Sequence, residues 1–407
     1  MYLTQSCSAT STPPCSAATK LSSYLYGLAP AGNRLSVTEL KGRFVSYTYD
    51  NDYRLAKENI QSDPAGNNGA VNYTSYDAAG NRQTMTSTLN AVPGGSFSYD
   101  ANDRLTTDTY DANGNTTSSA GISNTYDFEN RMLTHGCLSL VYDGDGNRVS
   151  ETVGGTTTKF LVDDKNPTKL PQVMDELVNG SVTRTYAYGR QRISENQLVN
   201  SSWVPSFYGY DGHGNARFLT NSAGTITDSY DFDGFGMPIR TSGTTPNQFL
   251  YSGERYDSSI ALYDLRARYY NQATGRFWAR DPVEGGWRWS SSSRTTPPFV
   301  DERSRLRWLA TSHKSSCCQS CSPLQINPYI YALDDPVDRV DPTGREAIIE
   351  YLLLRFYAAA PPAGSAAFYI WALCIDTCIA GCEAFEDTGQ REVCWGACKA
   401  TCSGLPN

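Results

Sequence analysis

Charged residues are scarce in this sequence, making up 19% of 407 residues with a formal net charge of −8. A broad basic surface is therefore excluded, and we expect no nucleic-acid partner, because phosphate contacts need clustered Lys and Arg. Histidine occurs only three times, and never after residue 344. That absence argues against a histidine-dependent nuclease in the C-terminal segment, because such an enzyme needs a general base.

Two kinds of apolar segment are also missing. Residues 1–30 contain no basic stretch followed by an apolar run, so they show no cleavable secretion signal. Export would then use another route, or the chain would be a fragment. The apolar runs 347–360 and 366–381 are shorter than the ~20 residues that span a bilayer. Buried helices are the first interpretation of these runs, and contact with a membrane is the second.

Tyrosine (27) and glycine (34) are abundant, which suits many short strands joined by tight turns. A Tyr-Asp pair recurs, often followed by Gly-Asn-Arg. In this pattern Tyr ends a strand, Asp bonds the backbone ahead, and Gly-Asn tolerates positive φ. The repeats predict hairpins of a continuous coiling sheet with no catalytic role of their own. Eight copies begin at Tyr49, Tyr76, Tyr99, Tyr110, Tyr126, Tyr142, Tyr210 and Tyr230.

These copies resemble the YD repeats of RHS proteins, teneurins and the C components of insecticidal toxin complexes. Residues 251–257, 262–270, 274–282 and 327–344 resemble the RHS-associated core. The resemblance covers residues 20–344 except for an insert. It implies a mainly β fold, in which a spiralling sheet forms a hollow, cocoon-like shell that this chain could complete only in part. The core would close one end of the shell, and a variable C-terminal domain would be sealed inside.

This resemblance also sets the expected domain organisation. An irregular segment (1–20) precedes the repeat shell (21–250) and the core (251–344), which contains an inserted loop (287–325). A small, α-helical, cysteine-rich segment (345–407) is the candidate effector. The inner wall of the repeat shell would border cargo or water, which explains polar residues on both faces of the sheet.

Many RHS cores resemble aspartyl autoproteases that act in cis, and the matching motifs place Asp281 and Asp341 as the catalytic pair with Arg280 beside the first. Two close carboxylates cannot both ionise easily, so one can donate a proton while the other activates water. The alternative is that each Asp-Pro simply starts a turn.

Cleavage is expected just after the second motif, in the region of Gly344, Arg345 and Glu346. The sequence departs from the family pattern in three ways. The first motif is one residue longer than usual, the loop 287–325 separates the two aspartates, and Arg345 stands where a hydrophobic residue is common. A surface insertion costs little loop-closure entropy, so the pairing can survive.

Cysteines cluster in two places. Six of the twelve follow residue 373 in two sets at i, i+4, i+8 spacing, which places each set on one helix face. Two antiparallel helices joined by disulfides are the first interpretation, and metal binding is the second. A smaller group at 317–321 has no evident fourth ligand, so we expect no metal and no cofactor. The disulfide candidates are Cys374, Cys378, Cys382, Cys394, Cys398 and Cys402.

Two functions are consistent with these patterns. The first is an RHS-type toxin or toxin carrier, secreted by a bacterium or held at its surface, with delivery or shell-completing protein partners and a membrane or carbohydrate target. The second is a non-catalytic surface or adhesion module that binds carbohydrate or protein.

Overall fold

The computed structural model describes residues 20–30, 32–282, 327–345 and 348–349. The irregular segment 1–19, the loop 287–325, Glu346 and the cysteine-rich segment lie outside the described residues. The chain divides into two compact units, Met1–Ile348 and Ile349–Asn407, and the fold below is that of the first. No helix in its described part is long and apolar enough to cross a bilayer.

Antiparallel strands in strict sequence order build this unit, which confirms the predicted mainly β fold. The first sheet has seven strands. They are β1 (Tyr24–Leu28), β2 (Arg34–Glu39), β3 (Phe44–Tyr49), β4 (Leu55–Gln61), β5 (Gly69–Tyr76), β6 (Arg82–Ser87) and β7 (Gly95–Ser96).

The second sheet has fourteen strands and again follows the chain from one edge to the other. They are β8 (Thr109–Tyr110), β9 (Thr116–Ser119), β10 (Ile122–Tyr126), β11 (Met132–His135), β12 (Leu138–Tyr142), β13 (Arg148–Val153), β14 (Thr156–Asp163), β15 (Gln172–Val178), β16 (Ser181–Tyr188), β17 (Arg192–Val199), β18 (Ser202–Tyr210), β19 (Ala216–Thr220), β20 (Ile226–Phe232) and β21 (Pro238–Ser242).

The core segment follows as a four-stranded sheet and several short elements. These are β22 (Arg255–Asp257), β23 (Leu262–Leu265), β24 (Arg268–Asn271), β25 (Arg276–Phe277) and β26 (Arg339–Val340), with 3-10 turns at Tyr251–Gly253 and Ala332–Asp334. A last short strand, β27 (Ile348–Ile349), follows the core segment.

The YD turns have the predicted chemistry, as the copy at Tyr126 illustrates. The Asp127 Oδ1 atom accepts hydrogen bonds from the backbone N–H groups of Glu129 and Arg131, both at 2.9 Å. The Nε atom of Arg131 donates to Oδ2 of the same aspartate at 2.6 Å. Asn130, three residues after the aspartate, takes φ +64°, a conformation that Gly and Asn tolerate best. The local sequence therefore specifies both the turn and its position.

The structure differs from the sequence prediction at the eighth copy. Asp231, predicted to open the turn, remains in β20 and pairs with Arg217 at 2.6 Å. The turn is formed two residues later by Asp233, whose Oδ1 accepts the backbone N–H groups of Phe235 at 3.0 Å and Met237 at 2.8 Å. The chain turns there because a glycine with positive φ stands three residues after Asp233, at 236.

One face of the sheets packs on the core segment. The predicted border with cargo concerns residues outside the described ones and stays a prediction. A cluster of aromatic side chains forms the centre of this packing, with the rings of Tyr270 and Tyr331 4.1 Å apart. Polar groups attach the core to the wall. Tyr329 donates its hydroxyl to the carbonyl oxygen of Gly114 at 2.9 Å. Such polar contacts fix the core segment to the sheet.

Early and late strands meet along a line that we call the seam, formed by Glu39, Glu58 and Tyr73 against Arg217 and the 233–234 turn. Arg217 contacts Glu39 at 3.0 Å, and Tyr73 donates its hydroxyl to the Asp233 carboxylate at 3.1 Å. The backbone N–H of residue 234 donates to Glu58 at 2.6 Å. The meander therefore curls back on itself through side-chain contacts.

Candidate functional site

Asp341 follows β26 and starts a turn with the same bonds as the repeats. Its carbonyl oxygen accepts the N–H of Gly344 at 3.3 Å, and its Oδ1 accepts the N–H of Arg345 at 3.1 Å. Gly344 takes φ +66°. Asp281 follows β25 and is fixed by its own backbone N–H, which donates to the carbonyl oxygen of Pro328 at 3.1 Å.

One arginine brings the two predicted aspartates together. The Nη2 atom of Arg268 lies 3.0 Å from Oδ2 of Asp281 and 3.4 Å from Oδ2 of Asp341. Its guanidinium stacks on the ring of Phe277, 3.6 Å from the centroid. The side chains of Arg268 and Asp341 are almost fully buried, whereas that of Asp281 is 22% exposed. Water can therefore reach the cluster at the Asp281 carboxyl.

The peptide bond between Gly344 and Arg345 is held on both sides. Its carbonyl oxygen accepts a hydrogen bond from Nε of Arg268, and its N–H donates to Asp341. A Cβ on residue 344 would clash with the carbonyl oxygen of Leu265, so glycine is required by space as well as by φ. An electron-withdrawing cation on the carbonyl and a carboxyl at the leaving nitrogen suit amide hydrolysis.

Burial and charge act in opposite directions on Arg268. Removal from water lowers the pKa of its guanidinium, and the carboxylates of Asp281 and Asp341 counteract that loss. A buried cation between two carboxylates also reduces their mutual repulsion.

An arginine shared by carboxylates also has a structural use in this fold. Arg217 contacts Asp211 at 3.2 Å, Asp231 at 2.6 Å and Glu39 at 3.0 Å in the seam. Ion pairing of this kind is therefore insufficient evidence of catalysis. The Arg268 cluster adds a peptide bond held at its carbonyl and at its nitrogen.

The sequence named Arg280, beside the first aspartate, as a site residue, and that role stays a prediction. The arginine that contacts both aspartates in the structure is Arg268. Arg280 is exposed, and its aliphatic stem lies beside Gly114. Arg268 belongs to the Leu-Arg-Ala-Arg-Tyr-Tyr part of the core motif, which was the available signal. Several arginines share these motifs, and spacing alone could not distinguish them. Glu346 and all six disulfide candidates lie outside the described residues, so their roles stay predictions.

Known proteins resemble this chain in sequence and in fold. No family model matches the chain. The crystal structure of TcdB2-TccC3 without hypervariable C-terminal region matches the fold with a TM-score of 0.57 at 16% identity, over 80% of this chain and 17% of that one. The tRNA nuclease WapA of Bacillus subtilis (strain 168) is 30% identical over 237 residues, 53% of this chain and 10% of the relative. These matches support the resemblance of the chain to RHS/YD-repeat proteins.

One similar protein comes from an insect. Salivary gland surface protein 1 of Aedes aegypti is 26% identical over 147 residues, which is 35% of this chain and 3% of that protein. The chain thus spans a tenth or less of the length of these curated relatives. Their names describe those whole proteins.

Proposed function

We propose that this protein acts as a bacterial toxin or toxin carrier, and that it releases the segment after Gly344 by cleaving itself. The observation that carries the proposal is the Gly344–Arg345 peptide bond, held by Arg268 and Asp341 with Asp281 on the same arginine. The relatives named as tRNA nucleases support the toxin class. The structural neighbour whose C-terminal region is called hypervariable supports a separable segment at this end.

In this proposal Arg268, Asp281 and Asp341 hydrolyse the Gly344–Arg345 peptide bond. Arg268 stabilises negative charge on the Gly344 oxygen as water adds to the carbonyl carbon. Asp281, the more exposed carboxyl, accepts the proton of that water, and Asp341 delivers a proton to the Arg345 nitrogen as the C–N bond breaks. This assignment requires Asp341 to carry a proton when the reaction begins, because Asp281 is the base. The products are a Gly344 carboxylate and an Arg345 amino terminus.

Shell, core and released segment would follow the boundaries 21–250, 251–344 and 345–407. The free edges of an incomplete shell would be covered by protein partners, and the structural neighbour TcdB2-TccC3 has two components.

We place the protein outside the producing cell or at its surface. The nuclease activity of WapA is not carried over, because the sequence after residue 344 contains no histidine, and a membrane is the target we propose first.

A gel series tests the cleavage. The wild-type chain should split near residue 345 on a denaturing gel. Asp341→Asn, Asp281→Asn and Arg268→Gln should each leave it whole, because each removes a proton carrier or the charge on the carbonyl.

Asp143→Asn is the matched control. Asp143 forms the same turn, with its Oδ1 accepting the backbone N–H groups of Asp145 and Asn147 at 3.0 and 2.8 Å, but it belongs to a repeat far along the chain from the core. This variant should cleave as the wild type does. Normal cleavage in all three site variants, with unchanged circular dichroism, would remove the aspartyl mechanism.

The surface or adhesion module remains the second candidate, and the name of the Aedes aegypti relative favours it. In that case the wild-type chain would stay whole under every condition, and the Arg268 cluster would serve packing alone.

A further inference from the structure

A cleft of about 280 Å³ lies beside the YD turns of the large sheet, between the turns at 146–148, 168–173, 188–192 and 210–214 and the core residues 252–255. Its lining is unusually cationic. Five arginines contribute to it, against the two carboxylates Glu254 and Asp264.

Three of these arginines are neutralised within the fold. Arg148 pairs with Asp257 at 3.1 Å and with Asp264 at 3.3 Å, and it also contacts Glu151. Arg255 lies 3.3 Å from Glu151, and Arg266 lies 2.9 Å from Glu254. Arg190 and Arg192 remain.

Arg192 is a buried cation that forms no salt bridge in the described residues, although Glu195 and Glu254 interact with it electrostatically. It is 9% exposed. Its Nε donates to the Tyr188 hydroxyl and its Nη1 to the carbonyl oxygen of Gly253, both at 3.3 Å. Across the described ranges no carboxylate lies within ion-pair distance of it. Buried charges in proteins are normally paired, because leaving water is costly.

The sequence explains why Arg192 has no aspartate partner in its own turn. In an ordinary YD turn the aspartate pairs with the arginine four residues on, as Asp127 does with Arg131 at 2.6 Å. The turn after Tyr188 is shorter, so Tyr188 pairs directly with Arg192, and glycine stands at 189 where the repeat has aspartate. The carboxylate is missing from the turn that borders the cleft.

We propose that this cleft binds a small carboxylate ligand with an apolar body. Arg192 lies flat on Phe249, 3.1 Å from the ring centroid, and the edge of a guanidinium held in this way matches the two oxygens of a carboxylate. Leu170, Val173 and Phe249 supply an apolar wall for the rest of the ligand. Arg190 is exposed at the same turn and attracts the anion. This site is separate from the Arg268 cluster and does not depend on cleavage.

Isothermal titration of the full chain with benzoate tests the site, and benzamide is the neutral probe of the same shape. We expect saturable benzoate binding with a Kd of about 1 mM or tighter and no binding of benzamide. Arg190→Glu should weaken benzoate binding about tenfold, because it reverses the charge beside Arg192 without touching the buried packing.

Lys165→Glu is the matched control for Arg190→Glu. Its side chain is 87% exposed in the neighbouring loop and does not line the cleft, so benzoate binding should be unchanged. Arg192→Gln should abolish binding, provided that circular dichroism shows a folded chain. Absence of benzoate binding, equal binding of benzamide, or equal weakening by Arg190→Glu and Lys165→Glu would each overturn the proposal.

Discussion

Asp334 makes the stability of the shell depend on pH. This carboxyl is buried in the 3-10 turn of the core, and its Oδ2 has no hydrogen-bond partner. Burial raises the pKa of Asp334 to about 7, although Arg82, Arg276 and Arg54 oppose the change. The residue takes φ +58°, a conformation that asparagine also tolerates. Asp334→Asn is therefore a substitution that removes the ionisation and little else.

The direction follows from proton linkage. A carboxyl whose pKa is higher in the folded state than in the unfolded chain favours folding when it is protonated, and that contribution is lost as the pH rises through 7. Its ordinary value is 3.8, and a tenfold change in proton affinity corresponds to about 1.4 kcal/mol. Ionised Asp334 therefore costs the folded state about 4 kcal/mol at pH 8, of which about 3 kcal/mol develops between pH 5 and pH 8.

Thermal unfolding at pH 5 and pH 8 measures this contribution. Asp334→Asn should exceed the wild type in Tm by about 3–4 °C more at pH 8 than at pH 5, given the unfolding entropy of a chain of this size. Asp103→Asn is the control, because Asp103 also takes positive φ (+60°) but has a half-exposed side chain, and it should keep the wild-type slope. Parallel pH profiles for Asp334→Asn and the wild type would refute the reasoning.

Three further predictions concern the turn, the seam and the cysteines. Gly344→Ala should lower the free energy of unfolding by about 1–2 kcal/mol and slow cleavage, because a Cβ would clash with the carbonyl oxygen of Leu265. Gly121→Ala is the control: this glycine has φ +80° and open space around it, so cleavage should be unchanged. Arg217→Gln should lower the free energy of unfolding in urea by about 3 kcal/mol, because it removes the shared cation from the buried carboxylates Asp211 and Asp231. Mass spectrometry of the oxidised segment 345–407 should show the loss of six hydrogens, whereas six alkylatable thiols would contradict the disulfide hairpin.

Local chemistry made the repeat predictable. The Asp127 turn depends on residues within four positions of one another, and such short-range bonding is legible in sequence. The order of strands follows, because short hairpins join consecutive neighbours. The same reasoning misplaced the turn after Tyr230, because Asp231 and Asp233 each precede a glycine by three residues and the local pattern does not distinguish them.

Contacts between residues distant in the chain could not be predicted from the sequence. Arg268 meets Asp341 across 73 positions, and no local pattern distinguishes it from its neighbour Arg266. The packing of Tyr270 on Tyr331 likewise depends on the core folding back into the sheet. The aspartate pair was named from family motifs, and only the fold shows what lies between its members.

Intact-mass measurement of the purified chain under denaturing conditions tests the central claim most directly. The full chain has a mass of 44.7 kDa. Cleavage predicts two species that sum to this mass plus one water, with the smaller species beginning at Arg345, and a single species for Asp341→Asn. A wild-type chain that stays at 44.7 kDa, with its shell folded, would contradict the account.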